Sequence, residues 1–180
     1  LWVTHIYHPN NFGNVEVCAV ESSDNGITES LIVNDSPPVM PSFVIRCRKA
    51  PVRADRFLAA VGSDGHVEFI AGMITNALFI SKGHRANVTL HLVFEDSADF
   101  SRILTLDGAH MGDLGGLSEQ ALLASCALAL KGAERLGKEQ RVTAPNGIVV
   151  ETLSFESLIK RQCLTSPCYL MSPKGQSLTQ

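Results

Sequence analysis

The fold is decided first by the stretch FVIRCRKAP, residues 43–51. It opens with an apolar run and ends with three basic side chains, Arg46, Arg48 and Lys49. An apolar run of this kind favours a buried strand, and the basic residues place positive charge at its end. We therefore expect the domain to begin with a strand just after Met40.

Helical and extended patterns alternate along the rest of the chain. Helices are predicted at 54–61, 67–80, 118–137 and 154–162, and strands at 87–94, 102–106, 147–153 and 168–171. The helix at 67–80 has apolar residues at three- and four-residue spacing, and Ser118 is a typical N-cap residue. This alternation predicts an α/β sheet with helices on its faces.

The length and the charge distribution bound the function. A chain of 180 residues suits about one domain, and no run reaches the roughly 18–20 uncharged apolar residues of a membrane span. Residues 1–39 carry five acidic side chains and no Lys or Arg, whereas the remainder carries 15 basic against 13 acidic side chains. We predict an acidic, poorly ordered or non-native extension at 1–39 and a mildly basic domain at 40–180, compatible with a polyanionic partner.

Cysteine and histidine spacing argues against disulfides and metals. The five cysteines form no C-x-x-C pair, and we expect reduced structural thiols in a cytoplasmic protein. Cys163 and Cys168 lie close in sequence, which chance can explain. His66, His84, His91 and His110 share no ligand spacing, so no metal site is predicted.

Three features each allow two interpretations. The glycine-rich stretch at 111–120 suits an anion-binding loop or, more simply, a turn feeding the Ser118 cap. Asn76, within an amphipathic helix, could reach a cleft or satisfy a neighbouring backbone group. The basic stretches RCRKAP and KGHR suit phosphate contacts or a solvated rim.

Four separated blocks carry a resemblance: FVIRCRKAP, TNALFISKGHR, LHLVFED and YLMSPKGQ. In this order and at these separations they resemble the tRNA pseudouridine methyltransferase family named TrmY and its bacterial relatives, in the SPOUT superfamily. The resemblance runs from about residue 40 to residue 176. It implies a knotted α/β methyltransferase sheet with helices on both faces.

The resemblance also implies an activity. Family members use S-adenosylmethionine to methylate the ring nitrogen of a pseudouridine in tRNA or a related RNA. They usually work as homodimers. The residue spacing and the lack of a long apolar run, noted above, predict no metal and no membrane partner. Because the methyl donor is already activated, the protein chiefly aligns the reactants and helps to remove a proton.

Site residues are carried over by position in the quoted blocks. Met171 matches a cofactor contact made through the main chain, and Pro173, Lys174 and Gly175 would shape the same loop. Arg48 and Arg85 would face the RNA. Asn76 would hydrogen-bond the flipped-out base. The proton acceptor is not assigned by the resemblance. Glu95, our catalytic candidate, and Asp96 follow the strand that should border the pocket.

Relatives continue for roughly fifty residues beyond the PKGQ block through the rest of the knot, so the chain resembles a family member that lacks the C-terminal part of the knot. One alternative is a catalytically inactive RNA-binding remnant, which would bind RNA but no cofactor. Another is an unrelated α/β nucleotide-binding domain.

Overall fold

The structure is a computed structural model that describes residues 15–20, 41–63, 65–81, 83–97, 100–165 and 168–171, with 15–20 and Met171 described by their main chain. The elements follow one another as β1 (Val15–Val20), β2 (Ser42–Pro51), α1 (Ala54–Ala59), α2 (Glu68–Leu78), β3 (Phe79–Ile80), β4 (Gly83–His84), β5 (Thr89–Asp96), β6 (Arg102–Asp107), α3 (Glu119–Gly132), β7 (Arg141–Thr143), β8 (Val149–Glu151), α4 (Phe155–Cys163) and β9 (Cys168–Met171).

Seven strands form one sheet in the order β7-β8-β6-β5-β2-β1-β9. β2 and β5 run parallel, with Ser42 opposite Thr89 and Cys47 opposite Phe94. A parallel pair needs a crossover connection, and α1 and α2 supply it between these strands. The other neighbours in the sheet are antiparallel. The sheet is therefore mixed, with a parallel pair near its centre.

Helices cover both faces of the sheet. One face carries the larger apolar cluster, in which α1, α2 and α3 pack on alternate β5 side chains such as Leu92 and Phe94. The intervening Val93 points to the opposite face and joins a smaller cluster with Phe155 and Leu158 of α4. This alternation follows from the period of two in a strand. The predicted arrangement of helices on both faces of an α/β sheet is confirmed.

Local sequence signals explain two helix starts. The Ser118 hydroxyl accepts a hydrogen bond of 3.2 Å from the Ala121 amide at the start of α3, as the sequence predicts. Ser154 makes the matching contact of 3.1 Å with the Ser157 amide at the start of α4. Both caps satisfy an amide that the first turn of a helix leaves without a partner.

The structure differs from the sequence-based expectation in several places. α2 ends at Leu78 rather than at Ile80, because Phe79–Ile80 forms β3, which pairs antiparallel with β4. α3 ends at Gly132 rather than near Gly137, because the chain tightens into turns there, with the Ala133 amide bonded to Leu130. The short strand β7 was not predicted. A strand, β1, lies within the segment 1–39 and pairs with both β2 and β9.

The thiols depart in part from the expectation of reduced cysteines. Cys163 and Cys168 form a disulfide that joins the end of α4 to the start of β9. Cys47 and Cys126 are free and buried, as predicted. Burial raises the pKa of both free thiols to about 12, so they remain protonated near neutral pH.

Candidate functional site

An open cleft of about 280 Å³ lies where the parallel strands β2 and β5 end. Its lining comes from the end of β2, the end of β5 and the turn after α1: Arg48, Lys49, Pro51, Ala60, Ser63, Gly65 and Asp96. The carboxyl ends of parallel strands are where open α/β sheets commonly bind ligands. Position alone makes this cleft a candidate binding site.

Local backbone features shape the cleft. The pairing of β2 with β5 shifts register between Cys47 and Pro51, so Arg48 and Lys49 are not part of the paired ladder between the two strands. On the opposite wall the Ser63 hydroxyl donates to the Ala60 carbonyl at 2.7 Å and accepts from the Gly65 amide at 3.3 Å. The wall formed by the turn is thus held by its own hydrogen bonds.

The charge of the cleft is mixed. Arg48 and Lys49 contribute two positive side chains, and Asp96 contributes a carboxylate at the end of β5. Both basic residues are exposed. Such a lining can hold an anionic group beside a carboxylate that is free to accept a hydrogen bond from the same ligand.

Glu95 lies on the opposite face of the sheet from its neighbour Asp96. Its two carboxylate oxygens accept hydrogen bonds from Arg46, Oε2 from Nε at 2.8 Å and Oε1 from Nη2 at 3.1 Å. The side chain is 18% exposed. A two-point pair with arginine engages both oxygens of a carboxylate and fixes its orientation. The geometry supports a structural pairing at Glu95 more directly than proton transfer.

Arg46 also reaches α4. Its Nη2 donates to Glu156 Oε1 at 3.1 Å, and its guanidinium lies 4.3 Å from the centre of the Phe155 ring. The backbone amide at the start of α4, and then the charge of Arg46, lower the pKa of Glu156. Sequence reasoning grouped Arg46 with the basic rim and missed this role.

Asn76 and Arg85 meet near the end of α2. The Arg85 guanidinium donates to the main-chain carbonyls of Asn76 at 3.1 Å and Ala77 at 3.3 Å. A cation at this position satisfies carbonyls of the last helical turn and complements the helix dipole. The Asn76 side chain is exposed. Arg85 therefore has a capping role whether or not it also contacts RNA.

The predicted site residues do not converge on one point. α2, which carries Asn76, packs on one face of the sheet, whereas Glu95 pairs with residues of the other face. Arg48 lies in the cleft. Met171 ends β9, which β1 separates from β2. Pro173, Lys174 and Gly175 lie outside the described residues.

The glycine-rich stretch is held by contacts within the fold. The Ser125 hydroxyl donates to the Leu114 carbonyl at 2.7 Å, and the Asn146 amide donates to the Ser125 carbonyl at 3.0 Å. Gly147 has a φ of +81°, and a Cβ there would lie 2.6 Å from the His110 carbonyl oxygen. The Leu114 contact anchors this stretch to α3, and the Ser118 cap agrees with the interpretation as a turn that feeds the helix.

His91 is buried under α4. Its Nδ1 is 2.8 Å from the Thr105 hydroxyl and its Nε2 is 3.2 Å from the Gln162 amide. Burial, followed by the positive charge of Arg161, lowers the pKa of His91 to about 4. His91 is therefore a neutral packing residue near pH 7, with both ring nitrogens in use.

The described residues show neither a metal-binding cluster nor a membrane-spanning helix. They contain no group of three or more histidine, cysteine, aspartate or glutamate side chains placed to hold a metal. None of the described helices has the length and apolar character needed to cross a bilayer.

Comparison with known proteins adds a family match. Residues 40–180 match the family described as "Putative SAM-dependent RNA methyltransferase". Among curated proteins, the "Putative pseudouridine methyltransferase" of Alcanivorax borkumensis is 41% identical over 142 residues, covering 78% of this chain and 71% of that protein. Proteins of the same description from Vibrio atlanticus and Vibrio cholerae are 40% and 37% identical, with 68% and 69% of their lengths covered.

The mixed α/β sheet alone does not identify the protein family, whereas these matches do. The chain belongs to the family of S-adenosylmethionine-dependent RNA methyltransferases that matches residues 40–180. Its similar relatives carry the name pseudouridine methyltransferase, and the resemblance noted in the four sequence blocks is thereby confirmed. The cofactor of the family is S-adenosylmethionine.

Proposed function

We propose that this protein transfers a methyl group from S-adenosylmethionine to a ring nitrogen of pseudouridine in an RNA, with tRNA as the substrate that the sequence resemblance favours. The observation that carries the proposal is the identity of about 40% to pseudouridine methyltransferases over most of the chain. The cleft at the ends of β2 and β5, which carries Arg48 and Lys49, agrees with an RNA substrate.

The fold proposed for the domain at 40–180 is a SPOUT-type knot. The protein is proposed to form a homodimer and to work in the cytoplasm. The match beginning at residue 40 supports a boundary there, with 1–39 as an extension. The strand β1 within that extension pairs with the domain through main-chain contacts. The mixed sheet with helices on both faces is compatible with a methyltransferase fold of this kind.

The cofactor is assigned to Met171 and to the residues that follow it in sequence, Pro173, Lys174 and Gly175. Among the described strands, β9 is at the edge of the sheet and pairs only with β1. The main-chain groups on its outer side are therefore not used by a described strand, which fits a cofactor held through main-chain contacts. When bound, S-adenosylmethionine supplies an activated methyl group and leaves as S-adenosylhomocysteine.

The protein must position the base and accept a proton. The ring nitrogen gains a bond to carbon and loses its proton, which a side chain or water must take. Asp96 lines the cleft, whereas both oxygens of Glu95 are engaged by Arg46. Of the two carboxylates, Asp96 is the better candidate for the proton acceptor. The exposed Asn76 remains a proposed contact for the base edge.

RNA phosphates are assigned to the cleft. Arg48 and Lys49 are exposed there, and phosphate contacts by such side chains release counterions when RNA binds. Arg85 is a second proposed contact, although its guanidinium already caps α2. The affinity for RNA should therefore depend on salt through the cleft residues.

The test measures two affinities of one protein. Calorimetric titration should show binding of S-adenosylmethionine, and an RNA oligonucleotide should bind with an affinity that falls as salt rises. Arg48→Ala and Lys49→Ala should each reduce the slope of log affinity against log salt by about 1. Lys138→Ala, at a side chain 73% exposed and away from the cleft, is the matched control and should leave the slope unchanged.

Two results would contradict the proposal. RNA binding without cofactor binding would instead support a non-catalytic RNA-binding protein. Equal slopes for the cleft variants and Lys138→Ala would place the RNA elsewhere on the surface.

A further inference from the structure

We infer that Arg46 is a positioning residue that fixes the position of α4 and, through α4, of β9, the strand that precedes the residues assigned to the cofactor. The inference rests on the proposed function for its last step, the assignment of the cofactor to the residues after β9. It also gives Glu95 a role as the partner of Arg46 rather than as a catalytic group.

Arg46 joins three elements through one guanidinium. Arg46 lies on β2 and donates hydrogen bonds to both carboxylate oxygens of Glu95 on β5. It also donates a hydrogen bond of 3.1 Å to Glu156 on α4. The side chain of Arg46 is 17% exposed. The two carboxylates neutralise the positive charge of this partly buried arginine. Because the guanidinium is planar, its hydrogen bonds fix both the distance and the orientation of the carboxylates relative to Arg46.

α4 depends on such contacts for its placement. Its apolar contribution is small, because the cluster beneath it consists of Val44, Val93, Ile103, Phe155 and Leu158, with Leu153 and Ile159 at its margin. The first turn is held by Arg46, whose guanidinium also lies over the Phe155 ring at 4.3 Å. Non-directional apolar packing alone would let a short helix slide or rotate, and the arginine fork opposes that movement.

The last turn of α4 is held separately. Arg161 donates two hydrogen bonds to Glu151, at 2.9 and 2.8 Å, and the Gln162 amide lies 3.2 Å from His91. Hydrogen bonds thus hold α4 to the sheet at both of its ends. The contacts of Arg46 at the first turn connect α4 to β2 and β5, the parallel strands that border the cleft.

Movement of α4 would reach β9 directly. The helix ends at Cys163, β9 begins at Cys168, and a disulfide joins these two residues. β9 ends at Met171, the first residue assigned to the cofactor. Because α4 is a single helix of 9 residues, a shift of its first turn is passed on to the contacts of its last turn and from there to β9. Loosening the first turn should in this way weaken cofactor binding, with the cleft on the other side of the sheet left intact.

Amide hydrogen exchange tests the mechanical step without needing cofactor. Arg46→Lys keeps the positive charge but removes the two-point fork, and should speed exchange in both α4 and β9 by about tenfold while α3 is unchanged. Arg53→Lys makes the same substitution at a pair with Asp55 in which both side chains are more than half exposed, and should change neither element. Unchanged exchange in α4, or faster exchange in α4 with β9 unchanged, would overturn the inference.

A milder variant keeps the test valid if Arg46→Lys does not fold. Glu156→Gln removes the charge of a carboxylate that is 61% exposed and weakens only the contact of Arg46 with α4, because the amide oxygen can still accept a hydrogen bond. It should shift exchange in α4 and β9 in the same direction by a smaller factor. No shift in either element would overturn the inference.

Cofactor titration and kinetics then separate positioning from catalysis. In a chain that binds S-adenosylmethionine, Glu95→Gln should raise the Kd for the cofactor several-fold and leave the pH profile of methyl transfer unchanged in shape. A large loss of kcat with an altered pH profile and an unchanged Kd would make Glu95 the proton acceptor and overturn its positioning role. If the unmodified chain binds no cofactor, the proposed function fails while the exchange result still decides the role of Arg46.

Discussion

His91 shows how one residue can make stability depend on pH. In the unfolded chain its pKa is near 6.5, whereas burial beneath α4 lowers the pKa to about 4 in the folded protein. Between these values the unfolded state binds more protons than the folded state, so acid favours unfolding. The stabilising effect is complete above pH 6.5 and is lost as the pH falls towards 4.

We expect the free energy of unfolding to fall by about 3 kcal/mol over that window through this one residue. Urea unfolding at a series of pH values should show the loss in the unmodified protein and a flatter profile in His91→Gln, which cannot titrate. The groups facing His91 are Arg161, Gln162, Glu151, Thr105 and Asp107. Identical pH profiles for the two proteins would assign the acid sensitivity to other groups.

Residues with local roles were easier to predict than residues with distant partners. Ser118 was predicted as a cap because its partner, the Ala121 amide, is three residues away. Arg46 contacts Glu95 and Glu156, which lie 49 and 110 residues away in sequence, and no local sequence pattern predicts such contacts. The alternation of apolar and basic residues in FVIRCRKAP indicated that Arg46 lies on a strand but not which carboxylates it would find.

At the scale of elements, α4 provides the most specific prediction. Leu158 is fully buried in the small cluster between α4 and the sheet, whereas Leu164, just past the same helix, is 86% exposed. Leu158→Ala should lower the free energy of unfolding by about 2–5 kcal/mol because it leaves a cavity. Leu164→Ala should change it by less than about 0.5 kcal/mol.

Thermal or urea unfolding of both variants gives the comparison. Similar losses for the two leucines would mean that α4 does not dock on the sheet through this face. A loss confined to Leu158→Ala supports the packing that the exchange experiment on Arg46 also assumes.

The helices were predicted to within a few residues, and some strands were missed. α2 and α4 follow from apolar periodicity and capping residues that lie inside the helices or beside them. β7 spans Arg141–Thr143, too short a run for alternation to be visible. β1 lies in a segment of short apolar runs and acidic residues, and its strand character depends on pairing with β2. Pairing energy of this kind comes from residues distant in sequence.

At the scale of the molecule, the sequence predicted the class of fold but not the strand pairing. Alternating helices and strands implied an α/β sheet, which the structure has. The combination of the parallel β2–β5 pair with antiparallel neighbours depends on how far each connection reaches, and periodicity carries no such information. The same limit applies to the site: residues chosen by motif proved to lie on both faces of the sheet.

The central claim is that this chain carries out S-adenosylmethionine-dependent methylation of pseudouridine in RNA. The most direct measurement follows transfer of a labelled methyl group from S-adenosylmethionine to two RNAs that differ only in carrying pseudouridine or uridine at one position. The account predicts label in the pseudouridine RNA alone, because only that base has the extra ring nitrogen free. Equal labelling of both RNAs, or no labelling of either, would contradict it.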